Sequence, residues 1–244
     1  MNKIALVLIA ALLLAAALIF ISLPSSNMVM PASNSSNSST LIGVIGSLSV
    51  PISSQSLSVQ NIPSVNYSLE KYDVIVVDNM TYCSLALRFS LAEWVRNGGK
   101  LIVIGDACTQ VPNDPASIGW NVGVNSLGSV MPVVFGGVTP SFNYTQLQET
   151  AGVGNGTIEI VDYSSFAFSN VSDLAFSGNS TVVYPSVDGK VLSLISFPAS
   201  YSNQVENQTF YAIVQSENYG VFYLSFEPQS EPQIFNNLIS GLAK

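Results

Sequence analysis

The 244-residue sequence contains no histidine. That removes the commonest general base and the commonest metal ligand at neutral pH. Charge is scarce too: Asp, Glu, Lys and Arg make up 9% of the chain, against roughly 25% in an ordinary soluble domain. Seven residues are basic and fifteen acidic, for a net charge of −8. The six basic residues beyond residue 40 are spread along the sequence. They form no stripe that could neutralise phosphates, so nucleic acid is not expected as a partner. With few carboxylates to protonate and no imidazole to charge, little folding free energy is lost in acid. An acid-tolerant extracellular protein fits this composition. A neutral-pH surface protein that relies on hydroxyls and amides fits it equally well.

Only one long apolar run is present. Residues 4–23, IALVLIAALLLAAALIFISL, hold no charge. As a helix they span about 30 Å, the thickness of a bilayer core. Lys3 precedes the run and the next basic residue is Lys71, which places the N-terminus in the cytoplasm and the rest outside. A cleaved signal peptide is the alternative, but its apolar region is usually about 7–15 residues with a small-residue cleavage site. Residues 1–24 are therefore read as a transmembrane anchor, or else a signal peptide. Residues 25–40 follow as a Ser/Asn-rich linker. Eight of the ten residues 31–40 are Ser, Thr or Asn, a tether that cannot pack a core. Asn-x-Ser/Thr sequons stand at Asn34, Asn37, Asn66, Asn79, Asn143, Asn155, Asn170, Asn179 and Asn207. In an exported chain a subset of these nine would carry glycans.

The full chain is 48% apolar, enough for one sizeable core. LIGVIG (41–46) is a short apolar run closed by glycine. YDVIVVD (72–78) is a continuous β-branched run, as in a strand buried on both faces. Residues 83–99 read as a helix, with Leu85, Phe89, Ala92, Leu91 and Val95 on one face and Arg88, Glu93 and Arg96 elsewhere. Asn97-Gly98-Gly99 ends it. KLIVIGD (100–106) is a second buried strand, and strand–helix–strand makes a right-handed crossover with parallel strands. Residues 107–156 read as loops with short strands. Residues 157–163, 180–187, 190–198, 209–217 and 220–228 read as strands, with Asp188-Gly189 as a hairpin turn. Residues 230–244 read as a closing helix, with Ile234, Leu238 and Leu242 at helical spacing.

The core YDVIVVD…LAEWVRNGGKLIVIGD and the tail FYAIVQSENYGVFYLSFEPQSEPQIFNNLISGL resemble the class I glutamine amidotransferase-like superfamily, in its trehalose-utilisation-like and non-catalytic branches. The resemblance covers most of residues 41–244. It implies an α/β fold: a flavodoxin-like three-layer parallel sheet with an antiparallel β-rich C-terminal part, here preceded by one transmembrane helix. Active members carry a cysteine in a strand-to-helix elbow, a downstream histidine and an acidic partner. Only Cys108 could match that nucleophile, yet GDACTQVP lacks the Gly-x-Cys-x-Gly elbow and no histidine exists to deprotonate it. A thiol near its reference pKa of about 8.5 is mostly protonated at neutral pH. The activity is not carried over.

Cys83 follows Asp78 by five residues and Cys108 follows Asp106 by two. If the two strands are neighbours, both thiols sit above one sheet edge. Outside the cell such a pair forms a disulfide; two free structural thiols and a reactive Cys108 are the alternatives. Asp78 and Asp106 end the same strands, where open α/β sheets bind ligands. With Asn79 and Asp114 they outline a ligand crevice. They could serve glycoside hydrolysis or hold Ca²⁺, or simply cap helices and satisfy loop amides. Tyr201, Phe210, Tyr211, Phe222, Tyr223 and Phe226 would make either a carbohydrate platform or, as alternating strand aromatics commonly do, core pairs. Trp94 and Trp120 carry no partner pattern.

The sequence thus reads as a non-catalytic protein anchored in the cell membrane, with one extracellular α/β domain at 41–244 and a binding or structural role at the envelope. No cofactor and no metal are expected. The membrane is the expected partner through the N-terminal helix, with an envelope protein, a glycan or self-association beside it. The alternatives are an envelope hydrolase of glycoside type using Asp78 and Asp106, and an accessory subunit of a membrane transporter or glycosylation complex.

Overall fold

The computed structural model describes residues 40–52, 57–63, 68–123, 125–136, 153–171, 174–201 and 204–244. The expected anchor and most of the tether, with Asn34 and Asn37, lie outside the described residues, as do Asn66 and Asn143. Among the described residues no helix is long and apolar enough to cross a membrane.

Among the described residues thirteen strands and two α-helices follow one another. The strands are β1 (Thr40–Gly46), β2 (Leu57–Asn61), β3 (Val74–Asp78), β4 (Lys100–Ile104), β5 (Gln110–Val111), β6 (Asp114–Ile118), β7 (Val133–Phe135), β8 (Val153–Ile160), β9 (Ala175–Asn179), β10 (Val183–Pro185), β11 (Gly189–Tyr201), β12 (Gln204–Ser216) and β13 (Val221–Leu224). Helix α1 (Leu85–Arg96) joins β3 to β4, and α2 (Pro232–Leu242) closes the chain. Nine strands form one sheet in the order β2-β1-β3-β4-β13-β12-β11-β8-β9. Its first five strands are parallel. The remaining pairings are antiparallel. The crossover read at residues 72–106 is present, with β3 and β4 adjacent and parallel.

Period-two alternation divides each central strand between two cores. Ile75, Val77, Leu101, Val103, Val221 and Tyr223 face α1 and the segment 118–135. Val74, Val76, Ile102, Ile104, Phe222 and Leu224 face α2. The layers are therefore helix, sheet, helix, consistent with a flavodoxin-like arrangement. The buried aromatics Phe222, Tyr223 and Phe226 are core, while Phe210 packs half-buried against Phe197 with ring centroids 6.1 Å apart.

Helix α1 starts at Ser84, whose hydroxyl accepts from the Leu87 amide, and stops at Asn97-Gly98, where Gly98 takes φ +97°. Its buried face matches the expected one only at Leu91, Ala92 and Val95. Leu85 and Phe89 are exposed, whereas Leu87, Arg88, Leu91, Ala92, Trp94 and Val95 are buried. The reason is a second cover. Trp120 packs edge-on against Phe135 and Tyr223, at 5.8 and 5.5 Å between centroids, and its indole N–H donates to the Ala107 carbonyl at 2.8 Å. This segment encloses Arg88, whose Nη1 donates to the Gly119 carbonyl at 2.9 Å. Burial lowers its pKa to about 10, which leaves it charged.

Three further differences concern strands. Residues 57–61, unassigned from sequence, pair with β1 as the parallel edge strand β2. Of the run 180–187 only Val183–Pro185 forms a strand, β10, and it pairs with β7 rather than with β11. Asp188-Gly189 is thus not a hairpin turn, because Ser186 is drawn to the Pro132 carbonyl and the chain leaves β10 for the main sheet. The strands read at 190–198 and 209–217 are longer, pairing with each other out to Tyr201 and Gln204.

Trp120→Ala should cost about 3–5 kcal/mol, the usual penalty for deleting a buried aromatic. The melting temperature should fall by roughly 6–20 °C. A drop of only a degree or two in a thermal melt would show that the 118–135 cover is not held by this ring.

Candidate functional site

Strands β1, β3, β4 and β13 run in the same direction, so whatever follows their last residues meets at one edge. β1 ends in Gly46 and is followed by Ser47; β3 ends in Asp78; β4 is followed by Gly105-Asp106; β13 is followed by Ser225-Phe226-Glu227. The chain leaves β1 toward β2 on one side and reaches β3 on the other. That reversal makes a topological switch point, where open α/β sheets hold their ligands.

Asp78 is the floor of this edge. Its side chain is fully buried, and no donor meets either carboxylate oxygen in hydrogen-bond geometry. Burial is the main reason its pKa is pushed up to about 7, and the negative charge of Glu227 adds to it. The backbone amides of Asn79 and Ser49 pull the other way without offsetting this. Glu227 is raised as well, first by its own burial; the proton on Asp78 works against that rise and Asp106 adds to it. Burial and the charge of Glu227 together favour the protonated form of Asp78.

Asp106 is half-buried and accepts from the Thr81 hydroxyl at 3.1 Å. Asn79 takes a left-handed φ of 49° and its amide donates to Ser47 Oγ at 3.0 Å, outside the carboxyl pair. Asp114 lies in the separate β5–β6 hairpin, where the Ser117 hydroxyl donates to it. Of the four crevice residues expected, Asp78 and Asp106 share the edge with Glu227, while Asn79 and Asp114 have local partners. Among the described residues no group of three or more Cys, Asp or Glu side chains has the geometry to hold a metal ion. An open cleft of about 460 Å³ runs along Glu227, lined also by Ser177, Gly178, Asn179, Gln229 and Ser230. The sequons at Asn79, Asn155, Asn170 and Asn179 are exposed, and Asn207 sits in β12.

Cys83 and Cys108 form a disulfide above the same edge, with Cα atoms 4.8 Å apart and a sequence separation of 25. Both are fully buried. The segments that carry them are zipped together, since Cys108 N donates to Met80 O, Gln110 N to Thr81 O and Cys83 N to Gln110 O. Closing this loop stabilises the fold by roughly 3 kcal/mol on the chain-entropy account. Cys108 itself sits at φ +57°, an uncommon region for a side-chain-bearing residue.

No protein-family model matches this chain, and no curated protein matches it. Solved structures do. A β-galactosidase from Bacillus circulans sp. alkalophilus aligns with a TM-score of 0.57 at 14% identity, over 84% of this chain and 31% of the enzyme's. A ThuA-like protein from Bacteroides uniformis aligns with a TM-score of 0.54 at 14% identity, over 87% and 93% of the two chains. A cytoplasmic protein from Salmonella typhimurium aligns with a TM-score of 0.53 at 14% identity, over 84% and 97%. The chain spans less than a third of the β-galactosidase, and at such identities the likeness concerns fold alone. The fold these structures share is consistent with a class I glutamine amidotransferase-like fold.

Gly46 tests how tightly the edge is built. Its φ is +96°, and a Cβ there would lie 1.9 Å from the Asp78 carbonyl oxygen. Gly46→Ala should therefore cost about 2 kcal/mol or more and lower the melting temperature by at least about 5 °C. An unchanged melt would show that β1 and β3 can part at this end.

Proposed function

We propose that this chain is a non-catalytic protein of the cell envelope, anchored in the membrane by its N-terminal segment, whose extracellular domain has a binding or structural role. One observation carries the non-catalytic reading. Cys108, the sole match to the superfamily's nucleophile, is tied to Cys83 beneath the surface, in a sequence without histidine. A disulfide sulfur has no thiolate to offer. The same bond favours an oxidising compartment, in keeping with the charge-free run at 4–23 and the sequons that follow it. The strand-end crevice is the natural place for a ligand, because its cleft is lined by hydroxyl, amide and carboxyl groups.

Hydrolysis by Asp78 and Asp106 is less well supported. A glycosidase needs two carboxyl groups facing each other across a gap of about 5–9.5 Å that admits the glycosidic bond or a water. Asp78 is sealed from solvent.

The test is the intact mass of the full-length chain, extracted in mild detergent and alkylated with and without prior reduction. Both cysteines should take label only after reduction. Labelling of Cys108 in the unreduced native protein would overturn the non-catalytic reading.

A further inference from the structure

Strand β9 ends the nine-stranded sheet at one side, so among the described residues no strand pairs with its outer edge. Such an edge invites pairing with another chain, and proteins blunt it with lysine, proline or a cover. At the opposite edge Lys71 donates to the Gln60 side chain of β2 at 3.3 Å. β9 reads AFSGN, with neither charge nor proline. The Ser230 hydroxyl reaches its edge, donating to the Ser177 carbonyl at 3.0 Å. Alternation turns Phe176 into the core that faces α2 and leaves Ser177 and Asn179 exposed on the other face. Asn155 and Thr157 of β8 share that face, through the pairs Asn155↔Ser177 and Val153↔Asn179. Ser196 of β11, opposite Thr157, continues it, bonded to Thr209 at 2.9 Å. The surface around Asn179 is thus made largely of amides and hydroxyls.

Asn179 opens one of three sequons whose two polar side chains are both described, beside those of Asn79 and Asn155. At Asn79 the side-chain amide already donates to Ser47, and the Thr81 hydroxyl to Asp106. At Asn155 the hydroxyl residue, Thr157, is held between Ala175 of β9 and Ser196 of β11. Asn179 instead stands on the edge strand and lines the open cleft of about 460 Å³ beside Glu227, which leaves room for a sugar. We propose that Asn179 is a glycan acceptor, and that its sugar is the cover that the edge of β9 otherwise lacks. An acceptor role for Asn179 rests on the extracellular placement proposed above. The donor is a lipid-linked oligosaccharide phosphate, presented by a transferase of the membrane. The Asn179 side-chain nitrogen bonds to the anomeric carbon, the bond from that carbon to the phosphate oxygen breaks, and the lipid phosphate leaves. The amide proton passes to a base of the transferase. The neighbouring amides and hydroxyls suit a sugar, because each can exchange a hydrogen bond to water for one to a sugar hydroxyl.

The test is peptide mass mapping of the full-length chain, extracted in mild detergent from the cells that make it. The peptide containing Asn179 should be heavier than its sequence by a whole number of sugar residues. Asn179→Gln should lower the intact mass by that increment. Thr181→Ala should do the same and Thr181→Ser should keep it, which leaves the site testable should Asn179→Gln fail to fold. With the edge bared, Asn179→Gln should self-associate, so that light scattering in detergent gives about double the protein mass of the wild type or more. A bare Asn179 peptide overturns the proposal. If sugar is then found at Asn79 or Asn155, the extracellular reading stands without it; if sugar is found nowhere and the cysteines alkylate without reduction, that reading falls too. An Asn179→Gln chain that loses the sugar and keeps the wild-type mass in light scattering overturns the covering role.

Discussion

The pairing of β4 with β13 is the constraint on which the rest of the structure depends. It is parallel, it joins residues 101–104 to 221–224, and β13 pairs on its other side with the antiparallel strand β12. One four-residue strand therefore welds an α/β half to a β-rich half. All four of its residues are buried, split between the two cores. Without that pairing, α2 would lose part of the surface it packs on and Tyr223 could not reach the Gly105 carbonyl, to which it donates at 3.1 Å. The same pairing carries Glu227 to the edge where Asp78 waits. The polar site at the strand ends is thus a by-product of how the last strand enters the sheet.

Much of this was legible in the residues. β1, β3 and β4 are near-continuous apolar runs, and a strand buried on both faces can hardly be written otherwise. α1 is bracketed by a serine cap and a glycine stop. The two cysteines sit just past two strands that the intervening helix forces to be parallel, which put their disulfide within reach of sequence reasoning. The pattern was silent where tertiary partners decide. β2 reads LSVQN, with three of its five residues exposed, and only the exposed edge of β1 makes it a strand. Arg88 looked like a solvated charge. Only the 118–135 segment, whose own path has no periodic signal, turns its side chain inward. Trp120, a lone residue in sequence, is a keystone of that cover.

Glu227 was missed for a geometric reason. The apolar texture of residues 220–228 continues past Leu224, where the strand stops, so the acid looked like part of a strand rather than the residue just beyond one. An acidic side chain within a few residues of a parallel strand's end was the available signal, and it had already singled out Asp78 and Asp106. The disulfide and the carboxyl pair now account for the strand end that resembled an enzyme's. The sulfur is bonded, the sequence has no histidine to serve as its base, and Asp78 is buried. What stays open toward solvent is the polar cleft beside Glu227.

The direction of the parallel strands has one more consequence. Thr40 opens β1 at the edge where α2 ends, and its hydroxyl donates to the Ala243 carbonyl; Lys100 opens β4 at the same edge and reaches the Leu242 carbonyl. Every parallel strand runs away from that edge, and five residues of strand cover about 17 Å. The chain thus enters the domain at one pole, while the carboxyl pair, the disulfide and the cleft occupy the other. The length of the parallel strands separates Thr40 and the C-terminal carbonyls from the polar strand ends.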